Sequence, residues 1–259
     1  MDPEFDIRAY NRDAWNKQVD SGENPWTKPV NPETIARARL GEFSVLLTEN
    51  KPVPSEWFPS FGGLDVLALA CGGGQQGPIF AALGANVTVL DNSPRQLDRD
   101  REVAKREGLA NLRVVEGDAR NLSMFADGCF DFIFHPVSNV FIPEIRPIWK
   151  EAFRVLRHGG SLLAGFMNPI FYLFDFDKSE KGVMEVIHKL PYADIDHPEM
   201  VKRQMEGGWP LEYSHSLTDQ LAGQTDVGFH IIGLYEDVHG GTEISAYTPT
   251  YLATRALKP

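Results

Sequence analysis

Three consecutive glycines, Gly72, Gly73 and Gly74, separate an apolar run over residues 64–70 from a stretch that begins Gln75-Gln76-Gly77-Pro78. The next apolar run, residues 87–90, ends in Asp91. A backbone without side chains lets a ligand lie directly against it, and a carboxylate at a strand tip can accept from both hydroxyls of a ribose. Glycine turn and acid together are nucleotide-binding chemistry. Gly72-x-Gly74-x-x-Gly77 also fits the dinucleotide pattern, with Asp91 near the expected distance of ~20 residues. The spacing therefore leaves open which nucleotide is bound. Two more groups follow apolar runs: Gly117-Asp118-Ala119, and His135 with Ser138 and Asn139 close behind. An imidazole with its ordinary pKa of ~6.5 suits removal of a proton from a hydroxyl, thiol or ammonium. The plainer role for His135 is a hydrogen bond to a loop carbonyl, and for Ser138 and Asn139 a turn after Pro136.

The elements that must position these residues follow from hydrophobic pattern. Residues 64–70 read as a strand buried on both faces. Pro78 suits the first turn of a helix whose Ile79, Ala82 and Leu83 face the sheet. A second strand covers 87–90. Ser93-Pro94 opens a charged amphipathic helix that runs to Glu107 and stops at Gly108. Strands follow over 112–115 and 130–134, with a loop at 121–128 between them. A helix spans 144–156, and Arg157-His158-Gly159-Gly160 reads as its stop, with basic side chains on the last carbonyls. A fifth strand covers 161–166. The order β-α-β-α-β-loop-β-α-β implies right-handed crossovers and a parallel sheet. Residues 168–213 are too long for a loop and rich in aromatics, and are expected to form an inserted cap. Beneath it Phe141, Phe171, Tyr172, Phe174, Phe176, Trp209 and Tyr213 would line an apolar chamber, or equally form the core of the cap itself. A helix at 216–224 and strands at 229–235 and 248–257 complete the chain. Upstream, Tyr10, Ala14 and Trp15 share a helical face, and Trp15 and Trp26 either pack on the domain or help close a lid. Ile35, Ala38, Leu40, Phe43 and Leu46 or Leu47 predict a helix over 32–48. Residues 51–63 read as a linker.

Composition sets the outer bounds. The 259 residues are 42% hydrophobic and 24% charged, an ordinary globular balance. The net charge of −11 argues against nucleic acid or an anionic membrane as partner. No apolar run reaches the ~18 residues of a membrane span. Two cysteines, Cys71 and Cys129, exclude a disulfide framework and favour the cytoplasm. Asp194-x-Asp196-His197 lacks compact ligand spacing, so no metal site is expected. The opening Met1–Phe5 reads as a cloning remnant.

From about residue 60 onward the chain resembles the class I S-adenosylmethionine-dependent methyltransferases, in the broad small-molecule and quinone-type group. Residues 66–74, VLALACGGG, look like the first motif of that family, Gly117-Asp118-Ala119 like its adenine-binding pattern, and residues 155–160, VLRHGG, like the turn before strand five. The resemblance implies a Rossmann-like α/β fold: seven strands, mostly parallel with an antiparallel last strand, helices on both faces, and an inserted cap. It implies a methyltransferase domain of residues 59–167 and 214–259, a cap of 168–213, and an N-terminal helical segment of 6–58 that could serve as a lid. S-adenosyl-L-methionine would be held by Ala70, Cys71, Gly72, Gly74, Gln75, Asp91, Asn92, Gly117, Asp118, Ala119 and His135, leaving S-adenosyl-L-homocysteine as product. His135 would be the base, and Ser138, Asn139, Phe171 and Tyr172 would bind a small-molecule methyl acceptor. The combination of motifs decides against a nicotinamide oxidoreductase. Two departures stand out: the family usually has an acid where this chain has Ala68 and a glycine where it has Ala70. Ala68, together with the absence of a diagnostic acceptor motif such as Asn-Pro-Pro-Tyr, motivates an alternative, a protein that binds the cofactor without turnover.

Overall fold

The computed structural model describes residues 5–259, so all of the supposed cloning remnant except Phe5 lies outside it. Seven strands form one sheet in the order β3-β2-β1-β4-β5-β7-β6. They are β1 (Asp65–Leu69), β2 (Asn86–Asp91), β3 (Leu112–Glu116), β4 (Phe130–His135), β5 (Leu156–Met167), β6 (His230–Asp237) and β7 (Tyr251–Leu257). The first five pair in parallel, and β7 runs antiparallel to both β5 and β6. This is the expected arrangement.

Alternating side chains send each strand into two cores. On one face Val66, Ala68, Val87, Val89, Phe132 and Phe134 meet the helices α2 (Pro32–Arg39), α3 (Gln76–Ala82) and α4 (Pro94–Glu107). On the other, Leu67, Leu69, Leu90 and Ile133 meet Ile148, Trp149 and Ala152 of α5 (Arg146–Val155). At ~25 cal/mol per Å² of buried apolar surface, these two layers hold the sheet rigid beneath its carboxyl edge. The first helix, α1 (Ile7–Ser21), is capped by the Asp6 carboxylate, which accepts the Ala9 amide.

Three elements differ from the sequence expectation. The helix expected over 32–48 ends at Arg39, where Gly41 turns left-handed (φ 84°) and Leu40 is left 78% exposed. Val45 and Leu47 are buried from a loop instead, with the Leu47 carbonyl against the Cα of Gly165. Arg157 to Gly160 do not stop α5 but open β5. Arg157 pairs with Asp65 and Asp131, and the carbonyls of Phe153 and Leu156 accept from Lys258 Nζ. The helix at 216–224 is a π turn (Thr218–Ala222) running into α8 (Gly223–Asp226). Residues 168–213 form short helical turns, α6 (Phe176–Ser179) and α7 (Pro198–Gly207), joined by irregular chain.

Candidate active site

The strand order places the carboxyl ends of β3, β2, β1 and β4 side by side, so Gly117, Asp91, Ala70 and His135 share one edge. Ala70 takes φ 48°, the only positive φ at a non-glycine among the described residues, and turns the chain out of β1. Cys71 follows, buried, its thiol within 3.4 Å of Gln76 Oε1. Burial pushes that thiol well above its ordinary pKa. The Gly72 amide donates to Asp91 Oδ2 at 2.9 Å and the Ser93 amide to Oδ1 at 2.8 Å. A Cβ on Gly72 would lie 2.7 Å from the Gln96 Cβ and 3.1 Å from Asp91, so glycine alone fits between them. Burial raises the Asp91 pKa against these backbone donors. Each carboxylate oxygen still has a free lone pair, which suits a ribose diol. The residues therefore fit the adenosyl cofactor.

Next to them, Gly117 donates to the Asp91 carbonyl at 3.0 Å and Ala119 is buried. Asp118 is gripped by Arg120 through its amide and guanidinium, with Arg8 at 3.8 Å. Burial would lift its pKa, but the Arg120 hydrogen bonds outweigh that and hold it low. Asn92 clasps α1: its Oδ1 accepts from Arg8 Nε at 2.9 Å, and its Nδ2 donates to the Arg8 carbonyl at 3.0 Å.

Gln75 differs from expectation. Its amide donates to the carbonyls of Pro25 and Lys28, both at 3.0 Å, and so ties the N-terminal segment to the turn rather than facing a ligand. Gly74 packs the same way: a Cβ there would meet the Arg99 carbonyl at 2.8 Å and Pro29 at 2.9 Å.

His135 also departs from its expected role. It is fully buried and edge-on to Trp149. Nδ1 faces the Leu69 carbonyl at 2.9 Å, and Nε2 faces Asn139 Oδ1 at 2.7 Å. Burial lowers its pKa, favouring the neutral ring. A neutral ring donating from Nδ1 is satisfied when the Asn139 amide is turned to donate to Nε2, with the Gln220 amide turned in step. In either case both nitrogens are engaged, so the imidazole ties β1 to β4 and has no free nitrogen for a base. Asn139 is likewise fully buried, between His135 and Gln220, and its carbonyl lies 2.9 Å from His215 Nε2. It cannot reach an acceptor. The Ser138 hydroxyl donates to the Pro136 carbonyl at 3.0 Å, as a turn residue does.

Beyond β4 and β5 lies an aromatic cluster: Val140, Met167, Tyr172, Tyr192 and Tyr251, with Val137, Phe141 and Phe171 packed against it. Tyr172 stacks on Tyr192 and donates to Glu212 Oε2 at 2.7 Å. Burial pushes the Glu212 pKa up to about 7. Phe171 is half-buried and stacks on His239. Trp209 and Phe176, expected in the chamber, are 48% and 38% exposed. Asp194 accepts from Tyr192, Gln204 and the Glu212 amide, a structural knot.

The sequence reading missed Asn11, Asn16 and Asp100. α1 crosses the site edge, with Asn16 Oδ1 bound by the Ser93 hydroxyl and Asn11 bonded to Phe141 and Leu211; Trp15, expected to pack on the domain or help close a lid, sits edge-on to Phe141. Asp100 was missed although it sits between Leu97 and Val103 on the buried stripe of α4, an acid in an apolar position. Two open surface grooves, of about 750 and 680 Å³, run along α5 past Lys150 and Arg154, and no expected site residue lines them.

A methyltransferase-domain family model matches residues 67–164. A protein of Bacillus subtilis (strain 168), described as the uncharacterized methyltransferase YbaJ, is 49% identical over 252 residues, 96% of this chain and 98% of its own. Sterol 24-C-methyltransferase ERG6A of Gibberella zeae is 39% identical over 100 residues, 38% of this chain but only 26% of its own. Among solved structures, geranyl diphosphate C-methyltransferase of Streptomyces coelicolor A3(2) aligns with a TM-score of 0.62 at 14% identity, covering 99% of this chain and 100% of its own. An S-adenosylmethionine-dependent methyltransferase of Mesorhizobium loti aligns with a TM-score of 0.61 at 18% identity, covering 78% of this chain and 94% of its own. At such identities the two structures attest the fold.

Proposed function

Since the chain belongs to the S-adenosylmethionine-dependent methyltransferases, we propose that it methylates a small apolar acceptor held against the aromatic cluster under residues 168–213. The observation that carries this reading is the position of that cluster. Val137, Val140 and Phe141 follow β4 directly and Met167 ends β5, so the apolar wall adjoins the cofactor edge. The relatives named for sterol methylation point to the same class of acceptor. S-adenosylmethionine supplies an electrophilic methyl group on a sulfonium. The chain's own task is to align the acceptor and exclude water. α1 serves as the lid: Arg8, Asn11, Trp15 and Asn16 fasten it to Asn92, Phe141 and Ser93. Residues 168–213 serve as the cap. Glu212 takes the proton from an acidic acceptor, in place of His135. Among the described residues its Oε1 has no hydrogen bond, and a pKa near 7 matches the working pH. Two free cysteines fit the cytoplasm.

The test is release of S-adenosylhomocysteine, followed by mass spectrometry, with phenols, hydroquinones and prenyl lipids set against polar amines and acids. Apolar acceptors should be turned over, with a rate that rises as pH passes through about 7 while the base ionises. Glu212→Gln should remove that rise. A preference for the polar set, or an unchanged pH profile in the variant, would overturn the acceptor class or the base respectively.

A further inference from the structure

Buried backbone amides in the glycine turn require acceptors, and β1 supplies none from its own side chains. Ala68 is fully buried and faces the α3 and α4 layer together with Leu97 and Val103. It offers only a methyl group at the position where the family resemblance leads one to expect an acid. The neighbouring space is occupied from the other side. Ala68 pairs with Val89 of β2. A Cβ on Gly77 would lie 2.6 Å from Val89 Cγ2 and 3.3 Å from Asp100 Oδ1, so strand, α3 and the Asp100 carboxyl converge on one point. Asp100 is 0% exposed. Its Oδ2 accepts the Gly73 amide at 3.1 Å, the same amide that reaches the Gln96 carbonyl at 3.1 Å, and the Gly74 amide lies close enough to the carboxyl to favour its charged form. Oδ1 is buried without a partner.

An unpaired charge would be costly there. Burial, with Asp91 nearby, pushes the Asp100 pKa up to about 8, against the two glycine amides. At neutral pH the group is a carboxylic acid with an acceptor oxygen toward the turn.

We propose that Asp100 is the positioning residue of the cofactor turn, holding the Gly73–Gly74 backbone from α4 in the way an acid at position 68 would hold it from β1. The proposal rests on S-adenosylmethionine as cofactor. It also accounts for two glycines: a Cβ on Gly74 would meet the Arg99 carbonyl of α4 at 2.8 Å, and one on Gly77 would lie 3.3 Å from Asp100 Oδ1.

The experiment is calorimetric titration of S-adenosylhomocysteine into the whole chain and its variants, with thermal unfolding recorded for each. Asp100→Asn keeps a neutral group with an acceptor oxygen and should bind within threefold of the parent. Asp100→Ala should bind at least tenfold more weakly. Adding Ala68→Asp to Asp100→Ala should recover at least half of that loss on a logarithmic scale, or restore folding if the single variant does not fold. Asp100→Ala binding within threefold of the parent would overturn the proposal. So would a double variant that stays as weak, or as unfolded, as the single one. A parent chain that binds no S-adenosylhomocysteine strikes at the cofactor instead, and is read directly from the first titration.

Discussion

Gly165 lies in the middle of β5, paired with Ala253, and a Cβ placed on it would meet the Leu47 carbonyl oxygen at 2.1 Å and its carbon at 2.7 Å. Both atoms are backbone, so no side-chain rotation relieves the contact. The loop must move by about an ångström, yet it is pinned on both sides. The Val137 amide donates to the Leu47 carbonyl at 3.0 Å, and Asp237 Oδ2 accepts from the Thr48 hydroxyl and the amides of Asn50 and Lys51. Overpacking costs ~1–3 kcal/mol and loss of the Val137 bond about 1 more. The stiffer strand backbone of alanine returns ~0.5–1 kcal/mol. Gly165→Ala should therefore destabilise by roughly 1–3.5 kcal/mol. At ~3 °C per kcal/mol for a chain of this size, that lowers Tm by about 3–10 °C. Gly62→Ala is the control, because a Cβ there meets nothing within 4 Å, and it should stay within ~2 °C. Calorimetric melting of both measures the difference. Gly165→Ala melting within 2 °C of the parent would show that the loop does not press on the strand as described.

Two other substitutions test the site. Asp91→Ala should weaken S-adenosylhomocysteine by at least tenfold, about 1.4 kcal/mol, since it removes the acceptor for ribose and for the Gly72 amide; unchanged affinity in calorimetry would sink the ribose assignment. His135→Ala leaves the Leu69 carbonyl and the Asn139 amide unpaired around a cavity, so urea unfolding should show a loss of ~2–4 kcal/mol. A variant of unchanged stability whose turnover collapses would return the imidazole to the chemistry.

The sequence revealed what neighbouring residues decide among themselves. Gly72, Asp91 and Gly117 could be placed because each sits at the end of a strand whose apolar run is unmistakable, and adjacent parallel strands bring such ends together. Gln75 could not, because its partners, Pro25 and Lys28, are some fifty residues earlier and carry no signal of their own. His135 looked catalytic because position at a strand end is visible, whereas its sealing is not. The seal depends on Asn139 and, through it, on Gln220, which lies 81 residues beyond Asn139. Leu40, Phe43 and Leu47 imitate a helical stripe, and only Gly41 betrays the break. Lys258 replaces Arg157 as the cap of α5 because the last strand returns beside its end, a matter of topology rather than pattern.

Asn11 hydrogen-bonds Leu211 across a separation of 200 residues, and Tyr10 reaches the Trp209 carbonyl across 199. On a ribosome adding ~5–20 residues per second, α1 is finished roughly 10–40 s before these partners exist. The contacts of α1 with Asn92 and Ser93 can form much earlier, so the helix is held first on the β2 side, and its clasp on residues 209–211 closes last.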